Sequence, residues 1–200
     1  MTLGEGDVRG TSLLALIVAC LLAVNATTGA ASVDYTPVSC DGFVLGYLGP
    51  VQQKKCATGE EIRGQVTSKR SQIEITDRLF YLIANYHVGE YRTYFPTHTP
   101  RQLLGWSKSF SQISNWRSLP DTQGYSVGAF NAMLDGKAVS CAIFVRYAGN
   151  TTSHAEYPGG PGYKTVLEGY YCPIDGLDAA APGKNAALDD VLGKLQLSQP

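Results

Sequence analysis

No apolar run in this 200-residue chain is long enough to cross a bilayer as a helix: the longest, Leu13–Val24 (LLALIVACLLAV), has twelve residues, where about 20 are needed. Charge is scarce and balanced, with 16 Lys+Arg against 17 Asp+Glu, only 16% of the chain. Neutralising phosphates requires a basic surface, so nucleic acid is excluded as an expected partner. The same balance gives no attraction to an anionic membrane. Catalytic spacings are missing as well. There is no Cys-x-x-Cys for a zinc ribbon or a thioredoxin-like centre. The three histidines, His87, His98 and His154, fall in neither H-x-x-x-H nor H-E-x-x-H spacing. No catalytic residue, metal ligand or cofactor is nominated, although a hydrolase with an unrecognised site stays open as an alternative.

The short apolar run has the form of a secretory signal. Arg9 precedes it, and the small-residue stretch Ala26–Ala31 follows as a cleavage zone. Cleavage after Ala30 or Ala31 is expected, although Glu5 and Asp7 outweigh Arg9 in the n-region. Ile17-Val18-Ala19-Cys20 offers a rival route, as a lipobox with Cys20 lipidated, but the apolar run continues past Cys20 through Val24. Residues 1–31 therefore read as a cleaved signal peptide, and residues 32–200 as one exported globular domain, periplasmic or secreted. With Glu5, Asp7 and Arg9 removed, that domain keeps 15 acidic and 15 basic residues and no transmembrane span.

Four cysteines remain in the domain: Cys40, Cys56, Cys141 and Cys172. They allow three pairings. Strand register favours one of them. Joining Cys141 to Cys172 also aligns Ile143 with Tyr170 and Tyr147 with Val166, giving two strands one shared apolar face. Glu168 opposite Val145 is a local exception. Cys40 and Cys56 then close a short N-terminal loop.

Low charge with abundant Gly (22), Pro (10) and Tyr (12) favours strands and turns. Residues 32–58 read as extended and turn-rich, with a short strand over Phe43–Leu48, and Ile62–Val66 follows as another strand. Gln72–Thr76 alternates at period two and predicts a strand, whereas Leu79–His87 fits either a strand or a short helix. Thr99-Pro100 is a helix start, with Leu103, Trp106 and Phe110 forming one stripe over about ten residues. Between Gly124 and Cys172 the pattern is an antiparallel meander. Tyr125–Ala129 meets a turn at Asp135-Gly136, Ala138–Tyr147 follows, and a Gly/Pro-rich loop leads to Tyr163–Tyr171. Leu188, Val191, Leu192 and Leu195 predict a closing helix over 185–197. The expected fold class is α+β: an antiparallel sheet, with its meander at about 124–172, and a C-terminal helix packed on one face in two layers.

The segment Cys141-Ala142-Ile143-Phe144, a Gly-rich gap, then Leu167-Glu168-Gly169-Tyr170-Tyr171-Cys172-Pro173 and a terminal helix resembles a group of small exported proteobacterial proteins of unassigned function. The resemblance covers about the last 60 residues and implies a bacterial periplasmic or surface setting. It implies no catalytic residues. Pro158–Gly162 is similar to the Gly-Gly-Pro-Gly loop of some α/β-hydrolases, but the parallel sheet of that fold is not in the pattern, and the segment reads as a connection between strands.

Aromatic density between Phe80 and Trp116 is the remaining feature. The stretch Tyr86–His98 is too polar and irregular to bury whole, and tyrosine combines a flat apolar body with a polar tip. Tyr86, Tyr91, Arg92, Tyr94 and His98 are the candidate binding residues. The expected function is a non-enzymatic interaction module for a protein, peptide or glycan of the cell envelope. A structural, envelope-associated protein is the other alternative.

Overall fold

The computed structural model describes residues 33–63, 66–90, 93–150, 162–177 and 186–197. All of them lie in one compact unit, Val33–Pro200. The expected signal peptide lies outside the described residues, as do Tyr91, Arg92 and most of the Gly/Pro-rich connection before Tyr163.

The sheet dominates. Eight strands, β1 (Thr36–Val38), β3 (Gln53–Arg63), β4 (Val66–Thr76), β5 (Phe80–Gly89), β6 (Ser111–Thr122), β7 (Tyr125–Leu134), β8 (Lys137–Asn150) and β9 (Tyr163–Pro173), pair in the order β1-β3-β4-β5-β9-β8-β7-β6. Every pairing is antiparallel. Two meanders thus meet in the middle, where β5 joins β9. The short strand β2 (Leu45–Tyr47) pairs separately with β10 (Leu195–Leu197). Among the described residues, two helices complete the fold, α1 (Pro100–Trp106) and α2 (Ala186–Lys194).

The expected meander is present in its expected register. Ile143 faces Tyr170, Tyr147 faces Val166, and Val145 faces Glu168. Asp135 and Gly136 both take positive φ, 49° and 75°, the conformation that a two-residue hairpin needs to match strand twist. Cys141 bonds to Cys172 and Cys40 to Cys56. The Cys40–Cys56 loop spans 16 residues, a size worth about 3 kcal/mol in the chain-entropy view.

Elsewhere the chain departs from the expectation. Leu79–His87 resolves to strand, as β5. The expected strand Ile62–Val66 is instead where β3 ends and β4 begins, and Ile62 is exposed there. The extended N-terminal stretch becomes the long strand β3 already at Gln53. The closing helix stops at Lys194, because Leu195–Leu197 leaves it to pair with β2. Strand β6 has no counterpart in the sequence pattern. Bulges interrupt it, with positive φ at Gln112 and Asn115, and Pro120 stands within it. Those features suit a sheet edge and erase period-two alternation.

Alternation along the strands sorts side chains onto two faces. One face carries Ile73, Ile75, Leu82, Ala84, Val127, Phe144 and Tyr171, which share a buried cluster with Leu45, Leu188, Val191 and Leu192. The other face carries Phe130, Cys141, Ile143 and Cys172, which cluster with Leu104 of α1 and Phe110. Fully burying side chains of this size contributes about 1.5–3 kcal/mol each, so both faces carry a share of the apolar packing.

Candidate functional site

On the second face the packing is incomplete. A cavity of about 620 Å³ opens between the sheet and the segment 93–107 that crosses it. Sites for small organic molecules fall in this size range.

The cavity floor follows from strand register. Arg70, His87, Val166 and Tyr147 are successive cross-strand neighbours on β4, β5, β9 and β8. Asn85 and Glu168 form the next row, and Tyr170 and Ile143 the row after that. The cover is held at three places. Gly89 lets the returning chain approach, since a Cβ there would sit 2.3 Å from the Thr93 carbonyl oxygen. Phe95 pairs with Tyr163, its N–H donating to the Tyr163 carbonyl at 2.8 Å and its carbonyl accepting at 2.9 Å. The Tyr147 hydroxyl accepts from the His98 N–H at 2.8 Å and donates to the His98 carbonyl at 3.2 Å. Helix α1 then starts on the expected signature. Thr99 Oγ1 accepts from the Gln102 N–H at 3.3 Å, and Gln102 Oε1 accepts from the Thr99 N–H at 2.8 Å. This reciprocal cap satisfies two donors that the helix itself leaves open.

Charged groups gather at one end. Arg70 Nη2 donates to Glu61 Oε2, and both side chains are largely buried. Tyr35 also bonds to Arg70. Burial pushes the Tyr35 hydroxyl up, and Arg70 opposes that rise. His87 is 6% exposed. Its Nε2 stands 3.3 Å from Glu168 Oε1, but the alignment is not that of a hydrogen bond, so Nε2 is buried without a hydrogen-bond partner. A buried polar atom in that position costs about 1–3 kcal/mol, a cost commonly tolerated at functional sites.

The other end is aromatic. Trp106 is 61% exposed and its ring meets His98 edge-on at 4.6 Å, so the pair stands at the rim. Tyr147, Tyr170, Phe95 and Tyr94 complete the wall. Burial raises Tyr147 and Tyr170. The His98 backbone bond lowers Tyr147, a bond to Ser107 lowers Tyr170, and the Glu168 carboxylate pushes both further up. Lys164 Nζ sits 4.3 Å from the Tyr94 ring centre and donates to the carbonyls of Gly89 and Thr93 at 3.2 and 3.3 Å.

Of the five residues nominated from sequence, Tyr94 and His98 line this cavity. Tyr86 does not. It lies on β5 one residue from His87, which turns it to the opposite face, where it packs against the first buried cluster. Tyr91 and Arg92 lie outside the described residues. Sequence reasoning passed over His87, Arg70, Glu61 and Tyr147. It did mark Glu168, opposite Val145, as a local exception to the apolar face, and that exception was the available signal. No protein-family model, curated protein or solved structure matches the chain.

Proposed function

We propose that this chain is an exported, non-enzymatic binding module, and that its ligand is a small organic molecule held in the cavity beneath segment 93–107. The observation that carries this reading is the cavity itself, with apolar and aromatic walls and a few convergent polar groups. Its two aliphatic hydroxyls are already engaged: Thr93 Oγ1 accepts from the Thr67 N–H at 3.0 Å, and Ser107 bonds to Tyr170. That arrangement supports binding over a hydroxyl nucleophile. Two disulfides and the short apolar run at Leu13–Val24 support an oxidising, extracytoplasmic setting. The resemblance to small exported proteobacterial proteins points the same way. Helix α2, whose Leu188, Val191 and Leu192 belong to the first buried cluster, is read as the second layer over the face away from the cavity. A small component of the cell envelope, such as a peptide or sugar fragment, is the expected source of ligand.

Native mass spectrometry of the chain purified from a bacterial periplasm tests this reading. A bound small molecule is expected. Leu103→Trp, which adds bulk at a half-buried lining position, is expected to abolish it. Retention of the ligand by a folded Leu103→Trp variant would place binding elsewhere and overturn the proposal.

A further inference from the structure

We infer that the cavity takes an organic cation, an ammonium group on an apolar or aromatic body, with the charge seated against Glu168. The inference rests on the cavity being the binding site and names the chemistry of its ligand.

Three formally charged side chains line the cavity: Glu61, Arg70 and Glu168. Glu61 and Arg70 neutralise each other through a direct bond, and Tyr35 adds a further bond to Arg70. Arg70 Nε has no hydrogen-bond partner, but it is fully enclosed, so an anion would have to displace Glu61 to use it. Glu168 is different. Among the described residues, the only basic group within ion-pair distance is His87, at 3.3 Å and poorly aligned. Glu168 keeps 27% of its side chain exposed where it lines the cavity. Counting histidines neutral, the lining carries one net negative charge, and it belongs to Glu168.

The walls agree with that sign. Tyr147, Tyr170, Phe95 and Trp106 present π systems, which attract cations through the electron-rich ring face and repel anions. Segment 93–107 already uses one such contact, Lys164 over Tyr94 at 4.3 Å. A carboxylate at the floor with aromatic rings around it is complementary to an alkylammonium or arylalkylammonium ion. It is poorly suited to a carboxylate or phosphate ligand.

Three probes of nearly equal shape test the inference by isothermal titration of the wild-type protein at neutral pH: phenethylamine, phenethyl alcohol and hydrocinnamate. The expected order is amine first, alcohol weaker and hydrocinnamate weakest. Glu168→Gln is expected to weaken the amine by about 10- to 100-fold, the range for losing a hydrogen bond to a charged group, and to leave the alcohol unchanged. Alcohol or hydrocinnamate binding as tightly as the amine would overturn the cation inference and leave the cavity reading standing. Amine binding that survives in a folded Glu168→Gln protein would also overturn it. Failure of all three probes would overturn both the inference and the cavity reading. Should Glu168→Gln fail to fold, the wild-type order of the three probes decides.

Discussion

Tyr147 and His98, 49 residues apart, are joined by two hydrogen bonds through one hydroxyl, which accepts at 2.8 Å and donates at 3.2 Å. One end of this link is a central strand of the sheet and the other is the segment that roofs the cavity. The link therefore sets how firmly the roof is held, and through the roof the shape of the site.

Removing that hydroxyl tests the relationship. Tyr147→Phe keeps the ring and strands both His98 backbone groups, which is expected to cost about 1–3 kcal/mol. The loss should be local. Amide hydrogen exchange at His98 and in α1 should accelerate, while amides of β7 and β8 keep their protection. Unchanged exchange at His98 would mean that the roof is held by Phe95 and Thr93 alone.

The disulfides should differ in weight. Cys141 is fully buried and Cys172 nearly so, inside the cluster with Phe130 and Ile143, whereas Cys40 is only half-buried. Cys141→Ser is expected to fall within the 2–5 kcal/mol or so typical of losing a native disulfide, toward its upper end, because a hydroxyl and an unpaired thiol remain in an apolar setting. Cys40→Ser is expected to cost less. Urea denaturation of the two variants checks the order, and equal midpoints would contradict it.

Two glycines predict opposite signs for the same substitution. A Cβ on Gly169 would meet the Ile83 carbonyl oxygen at 2.1 Å and the Phe144 ring at 2.6 Å. Backbone on one side and a packed ring on the other leave no room to give, so Gly169→Ala is expected to cost about 3 kcal/mol or more, beyond ordinary overpacking. Gly105, inside α1, has nothing within 4 Å of its Cβ position. Gly105→Ala should stabilise by about 0.5–1 kcal/mol through helix propensity and the unfolded chain. Thermal melts of the pair read both signs.

What was legible in the sequence follows from local physics. Strands β7, β8 and β9 alternate cleanly, and a disulfide pins their register, so even the Val145–Glu168 juxtaposition could be anticipated. The cap at Thr99 was equally local. Strand β6 was not legible, because bulges at Gln112 and Asn115 break its period. The site was legible only in part. Tyr94 and His98 sit on the roof, where a polar aromatic stretch announces itself. His87, Arg70 and Glu61 come together only when strands distant in sequence pair, and Tyr86 beside His87 is turned away by the two-residue period alone.

The tyrosines make the fold sensitive to alkali. Burial raises the hydroxyls of Tyr35, Tyr47, Tyr81, Tyr125, Tyr147, Tyr170 and Tyr171 above the ordinary value of 10. Tyr47 and Tyr81 reach about 12, with neighbouring carboxylates adding to burial at both. A group whose folded value exceeds its unfolded value holds its proton more tightly when folded. Its stabilising effect is complete below pH 10 and is lost as the pH climbs toward the folded value. Stability should therefore stay level with respect to these groups at neutral pH and fall steeply between about pH 10 and 12. Absorbance titration of phenolate should show these raised tyrosines ionising late, together with unfolding followed by circular dichroism. Tyr81→Phe should delay that alkaline transition, because it removes one of the two most strongly raised protons. Ionisation of all twelve tyrosines in a single early step, with the fold intact, would contradict the burial on which this prediction rests.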